Sequence, residues 1–321
     1  MSTRALQGAS RLLRVCAGLR ASERLLIVAD TKIHPSIPQT IAKAATKLAA
    51  EVVTVTMNPR KLPGDEPPSS VTAAMLASDV IICTTSTTLF YTSARNEACK
   101  RGARLISMTG IVPSVLTSDA MFADFDKQKR VVERVAEHLT RAKRIRLTNP
   151  AGTRLEMNVT GRKGRAITGI CRNRGDAEGV PDIEAYIAPL ENSVNGRLVI
   201  DGSTSVTGLA KNPLVLDIER GRVKQIRGGA QATRLLGILR RARSRNAFRV
   251  GEFGIGLNPL ARLRGAIIED EAALGTAHIA LGDNHRFGGR NKAPIHVDLV
   301  LKAPRVELDG RVVLIGKRLL V

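Results

Sequence analysis

The chain has 321 residues and a mass of 34.5 kDa, too long for one small module; at about 150 residues per domain it implies two domains, each with its own core. Hydrophobic residues at 43% and charged residues at 25% give the balance of a globular chain, and no apolar run nears the roughly 20 residues of a membrane span. Four cysteines, Cys16, Cys83, Cys99 and Cys171, lie far apart without C-x-x-C spacing, which argues against a disulfide framework or zinc knuckle and for a reducing, cytoplasmic setting. The net charge of +21 gathers in two stretches: ten Lys/Arg with no acid from Arg220 to Arg249, and ten against Glu156 alone from Arg141 to Arg174. With no Trp, two Tyr and six Phe there is little to stack bases on, so specific nucleic-acid binding is disfavoured. The arginines read instead as a solvated face, or as a field that draws in small anions.

The Arg-rich opening segment superficially resembles a transit peptide, but Leu6, Leu12, Leu13 and Val15 suit an amphipathic first helix. Strands are predicted at Leu25–Ala29, Val52–Met57, Asp79–Thr84 and Arg104–Met108, alternating with helices at Ile37–Ala50, Ser93–Arg101 and Phe125–Ala142. That alternation predicts a parallel sheet flanked by helices. No G-x-G-x-x-G follows the first strand, so a dinucleotide site is not supported. After the turn Asn149–Gly152 the texture changes. Strands are predicted at Arg154–Val159, Glu184–Ala188, Arg197–Asp201, Leu214–Ile218 and Val223–Ile226, a helix at Ala230–Ala242, and hairpin turns at Arg220-Gly221 and Asp309-Gly310. The expected fold is an α/β N-terminal domain with a parallel sheet over residues 1–145, then a strand-rich α+β metal-binding catalytic domain over 146–321.

Five histidines occur, and three of them fall within 19 residues: His278, His285 and His296. His296-Val297-Asp298 places an imidazole and a carboxylate on one face of a strand, because alternate residues share a face. His278 sits mid-strand between Ala277 and Ile279. Glu184 lies in an otherwise apolar strand, and Glu252 in the glycine-flanked run Gly251-Glu252-Phe253-Gly254-Ile255-Gly256. A carboxylate buried in such surroundings must be paired or bound to a metal. Together these residues predict a metal site. Its nitrogen and oxygen donors admit iron, zinc, cobalt or manganese.

The ordered set Glu184, Gly251-Glu252, Ala277-His278-Ile-Ala-Leu-Gly282 and His296-Val-Asp298 resembles the thermophilic metalloprotease superfamily of aminopeptidase T type. The resemblance covers most of the second half and implies a two-metal site on two glutamates, two histidines and an aspartate, matched in order by Glu184, Glu252, His278, His296 and Asp298. In those aminopeptidases a tyrosine that assists catalysis follows the first histidine by seven residues; here that position is His285. The phrases Gly251–Pro259 and Ala280–Leu301 look more like the branch of 2,5-dihydroxypyridine 5,6-dioxygenase, a mononuclear non-haem Fe(II) ring-cleaving enzyme. That branch implies a site of two histidines and one carboxylate, for which His278, His296 and Asp298 are candidates, with His285 as base and Glu184 and Glu252 orienting ligands or substrate. The expectations are therefore a homo-oligomeric Fe(II) dioxygenase acting on a small anionic aromatic; alternatively, a zinc-, cobalt- or manganese-dependent aminopeptidase or related hydrolase; or, outside catalysis, a metal-dependent binding protein.

Overall fold

The computed structural model describes residues 2–49 and 51–321. The chain forms two compact units, Met1–Lys129 with Thr168–Asp182, and Arg130–Ile167 with Ile183–Val321. A single cut near residue 145 does not describe this division, because residues 168–182 return to the first unit. Among the described residues no helix is long and apolar enough to cross a membrane.

In chain order the strands are β1 (Arg24–Asp30), β2 (Glu51–Met57), β3 (Val80–Thr84), β4 (Arg104–Ser107), β5 (Arg144–Thr148), β6 (Arg154–Asn158), β7 (Arg165–Ile167), β8 (Ala177–Gly179), β9 (Glu184–Ile187) and β10 (Asn195–Ile200). They continue as β11 (Ser203–Thr204), β12 (Gly208–Leu209), β13 (Leu214–Glu219), β14 (Arg222–Arg227), β15 (Val250–Gly256), β16 (Thr276–Gly282), β17 (His296–Lys302), β18 (Arg305–Leu308), β19 (Arg311–Ile315) and β20 (Arg318–Leu319).

In the first unit the strands form a wholly parallel sheet in the order β2-β1-β3-β4-β8. Helices Ser36–Ala45, Ser69–Leu76 and Ser93–Lys100 fill the crossovers. The predicted helix over Ile37–Ala50 ends at Ala45, and Ala50 lies outside the described residues. The central strands are buried on both faces, which is why Leu25–Ala29 and Val80–Thr84 read as unbroken apolar runs. Leu26, Val28, Ile81, Cys83 and Leu105 pack with Met75, Leu89 and Ala98 in one apolar cluster. All four cysteines are free and buried.

The second unit carries two sheets, β14-β13-β10-β6-β5-β18-β19-β20 and β12-β11-β17-β16-β15-β9-β7. The eight-stranded sheet alternates: Ile145, Leu147, Leu155 and Met157 are buried while Arg144, Arg146, Arg154 and Glu156 are exposed. Arg144, Arg146 and Arg154 of the second basic stretch therefore stand on a solvated sheet face, on which Arg146 lies between Glu156 and Glu307 and, further along the sheet, Arg197 and Arg227 pair with Asp217. The predicted hairpin turns form with positive φ at Arg220 and Gly221 and at Asp309 and Gly310, as two-residue turns of right-handed hairpins require.

Glu178, on β8, is a titratable group inside the first unit. Its carboxylate accepts backbone N–H bonds from Thr168 at 2.8 Å and Gly169 at 3.2 Å. Burial pushes its pKa up to about 7, Asp176 adds to the rise, and the two N–H groups and Lys129 oppose it. A carboxyl raised above its unfolded value contributes stability that is fully present below about pH 4.3 and lost as the pH rises through 7. Glu178→Gln should therefore raise the melting temperature at pH 8 and leave it unchanged at pH 4, a comparison that differential scanning fluorimetry reads directly.

Candidate metal centre

The seven-stranded sheet brings the predicted donors onto one face. Directly paired residues share a face, and the register pairs Glu184 with Gly256, Gly254 with His278, and Glu252 with Ala280. The next ladder pairs Ala280 with Asp298 and Gly282 with His296. Glu184 on β9, Glu252 on β15, His278 on β16 and His296 with Asp298 on β17 thus point the same way. The positions between them on that face are Gly254, Gly256, Ala280 and Gly282, which leave a floor without bulk.

Two glycines make the convergence possible. The β15–β16 register slips by one residue between Val250 and Glu252. Glu252 stands on the donor face with Gly254, opposite Phe253, and the bulge lets Val250, only two residues earlier, face the other way and pair with Leu281. Asn284 pins the bulge by donating its Nδ2 to the Gly251 carbonyl at 3.0 Å. Across the strand, a Cβ on Gly254 would lie only 2.1–2.9 Å from three ring atoms of His278. The imidazole therefore lies over β15, and the lack of a side chain there lets its Nε2 approach Glu184 on the far side.

The resulting distances are short and connected. His278 Nε2 is 3.3 Å from Glu252 Oε1 and 3.4 Å from Glu184 Oε2. His296 Nε2 is 3.6 Å from Glu252 Oε2 and 3.1 Å from Asp298 Oδ1. Donors at about 2.1 Å from one divalent ion sit about 3.0–3.4 Å apart at neighbouring corners of a tetrahedron or octahedron, so this spacing fits a metal. The charge balance fits as well: three carboxylates crowd two imidazoles on a largely dry face, with Glu184, Glu252 and His278 all buried. His278 Nδ1 is buried without a hydrogen-bond partner, so Nε2 is the nitrogen that the carboxylates engage.

Titration of the second histidine follows from the same crowding. Burial disfavours its imidazolium, yet Asp298, Glu252 and the Asp283 carbonyl together hold the His296 pKa up to about 10. Burial in turn raises the Asp298 carboxyl, and His296 and His278 bring it below the usual carboxylate range. His296 Nδ1 donates to the Asp283 carbonyl at 2.8 Å, which fixes the ring with Nε2 toward the site. A metal must displace the proton that Nε2 holds at neutral pH.

His285, the predicted base, touches none of the five donors in a hydrogen bond or ion pair. It stands on the loop after β16 with its side chain about one-third exposed, and Nδ1 meets Asp283 Oδ1 at 2.7 Å. Asp283 thus serves both histidines, His296 through its backbone and His285 through its carboxylate, and it accepts the Ala293 N–H as well. The loop is held from several sides. Arg162 binds Glu191 and the Gly288 carbonyl, Arg165 donates to the Phe287 carbonyl, and Asn291 donates to the Gly282 carbonyl. It carries Phe287 between Tyr186 and His296, with ring centroids 5.6 and 5.8 Å away and edge-on geometry. Gly254→Ala should push the His278 ring away from Glu184 and weaken divalent-metal affinity about 10–100-fold, read by calorimetric titration, with little change in secondary structure by circular dichroism.

The sequence matches the family profile of NicX, 2,5-dihydroxypyridine 5,6-dioxygenase, over residues 5–320. The 2,5-dihydroxypyridine 5,6-dioxygenase of Pseudomonas putida KT2440 is 24% identical over 319 residues, spanning 90% of this chain and 89% of the relative. The solved 2,5-dihydroxypyridine dioxygenase from the same strain superposes with a TM-score of 0.82 at 19% identity, covering 100% of this chain and 98% of that one. Wild-type AmpT from Thermus thermophilus superposes with a TM-score of 0.69 at 15% identity, covering 99% of each chain. The mixed α/β architecture is common to all three structures, and the profile runs almost from end to end. The chain belongs to the 2,5-dihydroxypyridine 5,6-dioxygenase family.

Proposed function

We propose that the chain is a mononuclear non-haem Fe(II) dioxygenase that opens a hydroxylated pyridine-type ring, such as 2,5-dihydroxypyridine. The observation that supports this reading is that His296 and Asp298, 3.1 Å apart, share a sheet face with His278, which Glu252 links to His296 while Glu184, Glu252 and His278 gather their donor atoms within reach of one ion, in a member of this family. The donor set is closed behind and open in front: His278 is 1% exposed, whereas 25% of the His296 side chain and 17% of Asp298 remain accessible. Iron bound there would supply a common centre for the ring and dioxygen, and a route for electron density between them.

The remaining work falls to the chain's own groups. Phe287 and Tyr186 offer an apolar flank beside His296 for a planar ring. His285, with Nδ1 held by Asp283, takes the ring hydroxyl proton on Nε2. Glu184 and Glu252 hold His278 and orient the donors. The positive field of the chain favours an anionic ring. Both atoms of dioxygen enter the product as the C5–C6 bond breaks.

A second reading has one specific observation in its favour. The two oxygens of Glu252 face different histidines, Oε1 toward His278 and Oε2 toward His296. That divides the donors into Glu184 with His278 and His296 with Asp298, bridged by one carboxylate, an arrangement suited to two metals and hydrolysis.

One experiment separates the two. Metal-free protein offered Fe(II), Zn(II), Mn(II) and Co(II) in competition without oxygen should retain one iron per chain, and then consume oxygen on addition of 2,5-dihydroxypyridine. Asp298→Ala should abolish both iron retention and oxygen uptake; full turnover by that variant would overturn the site assignment. His285→Ala should keep its iron and lose about 10²–10⁴ in kcat. Two zinc or cobalt ions per chain with cleavage of peptide substrates would replace this reading with the hydrolytic one.

A further inference from the structure

β11 flanks β17 on the side away from β16, pairing Ser203 with Val300 and Thr204 with Leu299. One step further, the same register sets Ser205 against Asp298. A regular antiparallel ladder closes such a pair with two N–H···O=C bonds. Only one is made, from the Ser205 N–H to the Asp298 carbonyl at 3.0 Å. In place of the other, the Asp298 N–H donates at 3.0 Å to the Ser205 side-chain Oγ. Ser205 therefore meets both main-chain polar groups of Asp298. A strand residue turns those two groups toward one neighbour, so Ala280, which faces Asp298 from β16, does so as a non-hydrogen-bonded pair.

The hydroxyl is itself held in place. The chain turns back after Ser205 into β12, and Thr204 staples the turn: its Oγ1 accepts the Thr207 N–H at 2.8 Å and the Val206 N–H at 3.4 Å. From helix Gly229–Arg241, the Gln231 amide donates to the Thr207 and Leu209 carbonyls at 3.2 and 2.9 Å and accepts the Lys211 N–H at 2.8 Å. Ser203 and Thr204 are buried, while Ser205 is half-buried. A side chain that orients a metal donor is effective only when its own position is fixed, and these ties fix it.

Asp298 is the donor that most needs such a support. Glu184, Glu252 and His278 are enclosed by packing, and the His296 ring is held through Nδ1 by the Asp283 carbonyl. Asp298 stands on the open side, with its Oδ1 3.1 Å from His296 Nε2. We infer that Ser205 is a positioning residue: its hydroxyl, standing in for a ladder carbonyl, sets the main chain at Asp298 and with it the aim of the carboxylate at the metal. The inference rests on Asp298 as a metal donor, whichever reaction the centre serves.

Metal-free full-length protein titrated calorimetrically with Zn(II) should lose about tenfold in affinity on Ser205→Ala, which removes the acceptor, and recover it in Ser205→Thr, which keeps one. The visible spectrum of the Co(II)-loaded protein, whose bands report the geometry of the donors, should change in Ser205→Ala and match the wild type in Ser205→Thr. A merely structural role would lower the melting temperature and leave the cobalt spectrum alone. Zn(II) binding by Ser205→Ala equal to that of the wild type, an unchanged cobalt spectrum, or a loss that Ser205→Thr does not restore overturns the inference and leaves the donor set standing. A wild type that takes up no divalent ion overturns the donor set and the inference together. Should Ser205→Ala fail to fold, Ser205→Cys, close in shape but with a weak sulfur acceptor, is read in its place.

Discussion

Three carboxylates share one face of a buried sheet, and most of the second unit's local oddities follow from that. Desolvating Glu184 and Glu252 side by side is costly, and their mutual repulsion adds to the cost. The chain offsets it by interleaving imidazoles with carboxylates, so that the Nε2 of each histidine lies within 3.1–3.6 Å of two carboxylate oxygens. Interleaving demands closer packing than ordinary side chains allow. Gly254 yields space to the His278 ring, and the intervening floor positions are glycine or alanine. A site of this kind is built as much from absent side chains as from present ones.

The donors are also graded in access. His278 and the two glutamates lie at the closed end, while His296 and Asp298 line the open side next to Phe287 and the loop 283–293. That loop is firmly fastened, with Asn284 and Asn291 on the strand ends and Arg162 and Arg165 along its length. Asp283 makes the fastening functional, since one residue sets both the orientation of His296 and the poise of His285.

How much of this was legible in the sequence depends on whether the signal was local. His296-Val-Asp298 announces itself because strand periodicity alone puts both side chains on one face. Glu184 and Glu252 stood out as acids in apolar runs, and the Arg220-Gly221 and Asp309-Gly310 turns as residues that tolerate positive φ. What escaped was relational. The bulge at Gly251 exists only against the register of β16, and the need for glycine at 254 only against a ring from the next strand. β5 is too short a pattern between a helix and a turn to declare itself. β8 is three residues, Ala177-Glu178-Gly179, with no strand propensity of their own; only pairing with β4 makes them a strand. Of the few aromatics, which weakened any case for stacking nucleic acid, Tyr186 and Phe287 turn out to stand at the candidate site.

The placement of β8 bears on how the chain is made. Its partner β4 is finished some 70 residues earlier, and the intervening stretch contains β5, β6 and β7, which belong to the other unit. A polypeptide leaving the ribosome from its N-terminus therefore holds β4 with one side bare until residue 179 has emerged. By then the second unit has begun but lacks β9 to β20. Neither half can be completed before the other is started, so synthesis does not pass through a finished first domain, and the two cores close in an overlapping order set by the chain's own crossings.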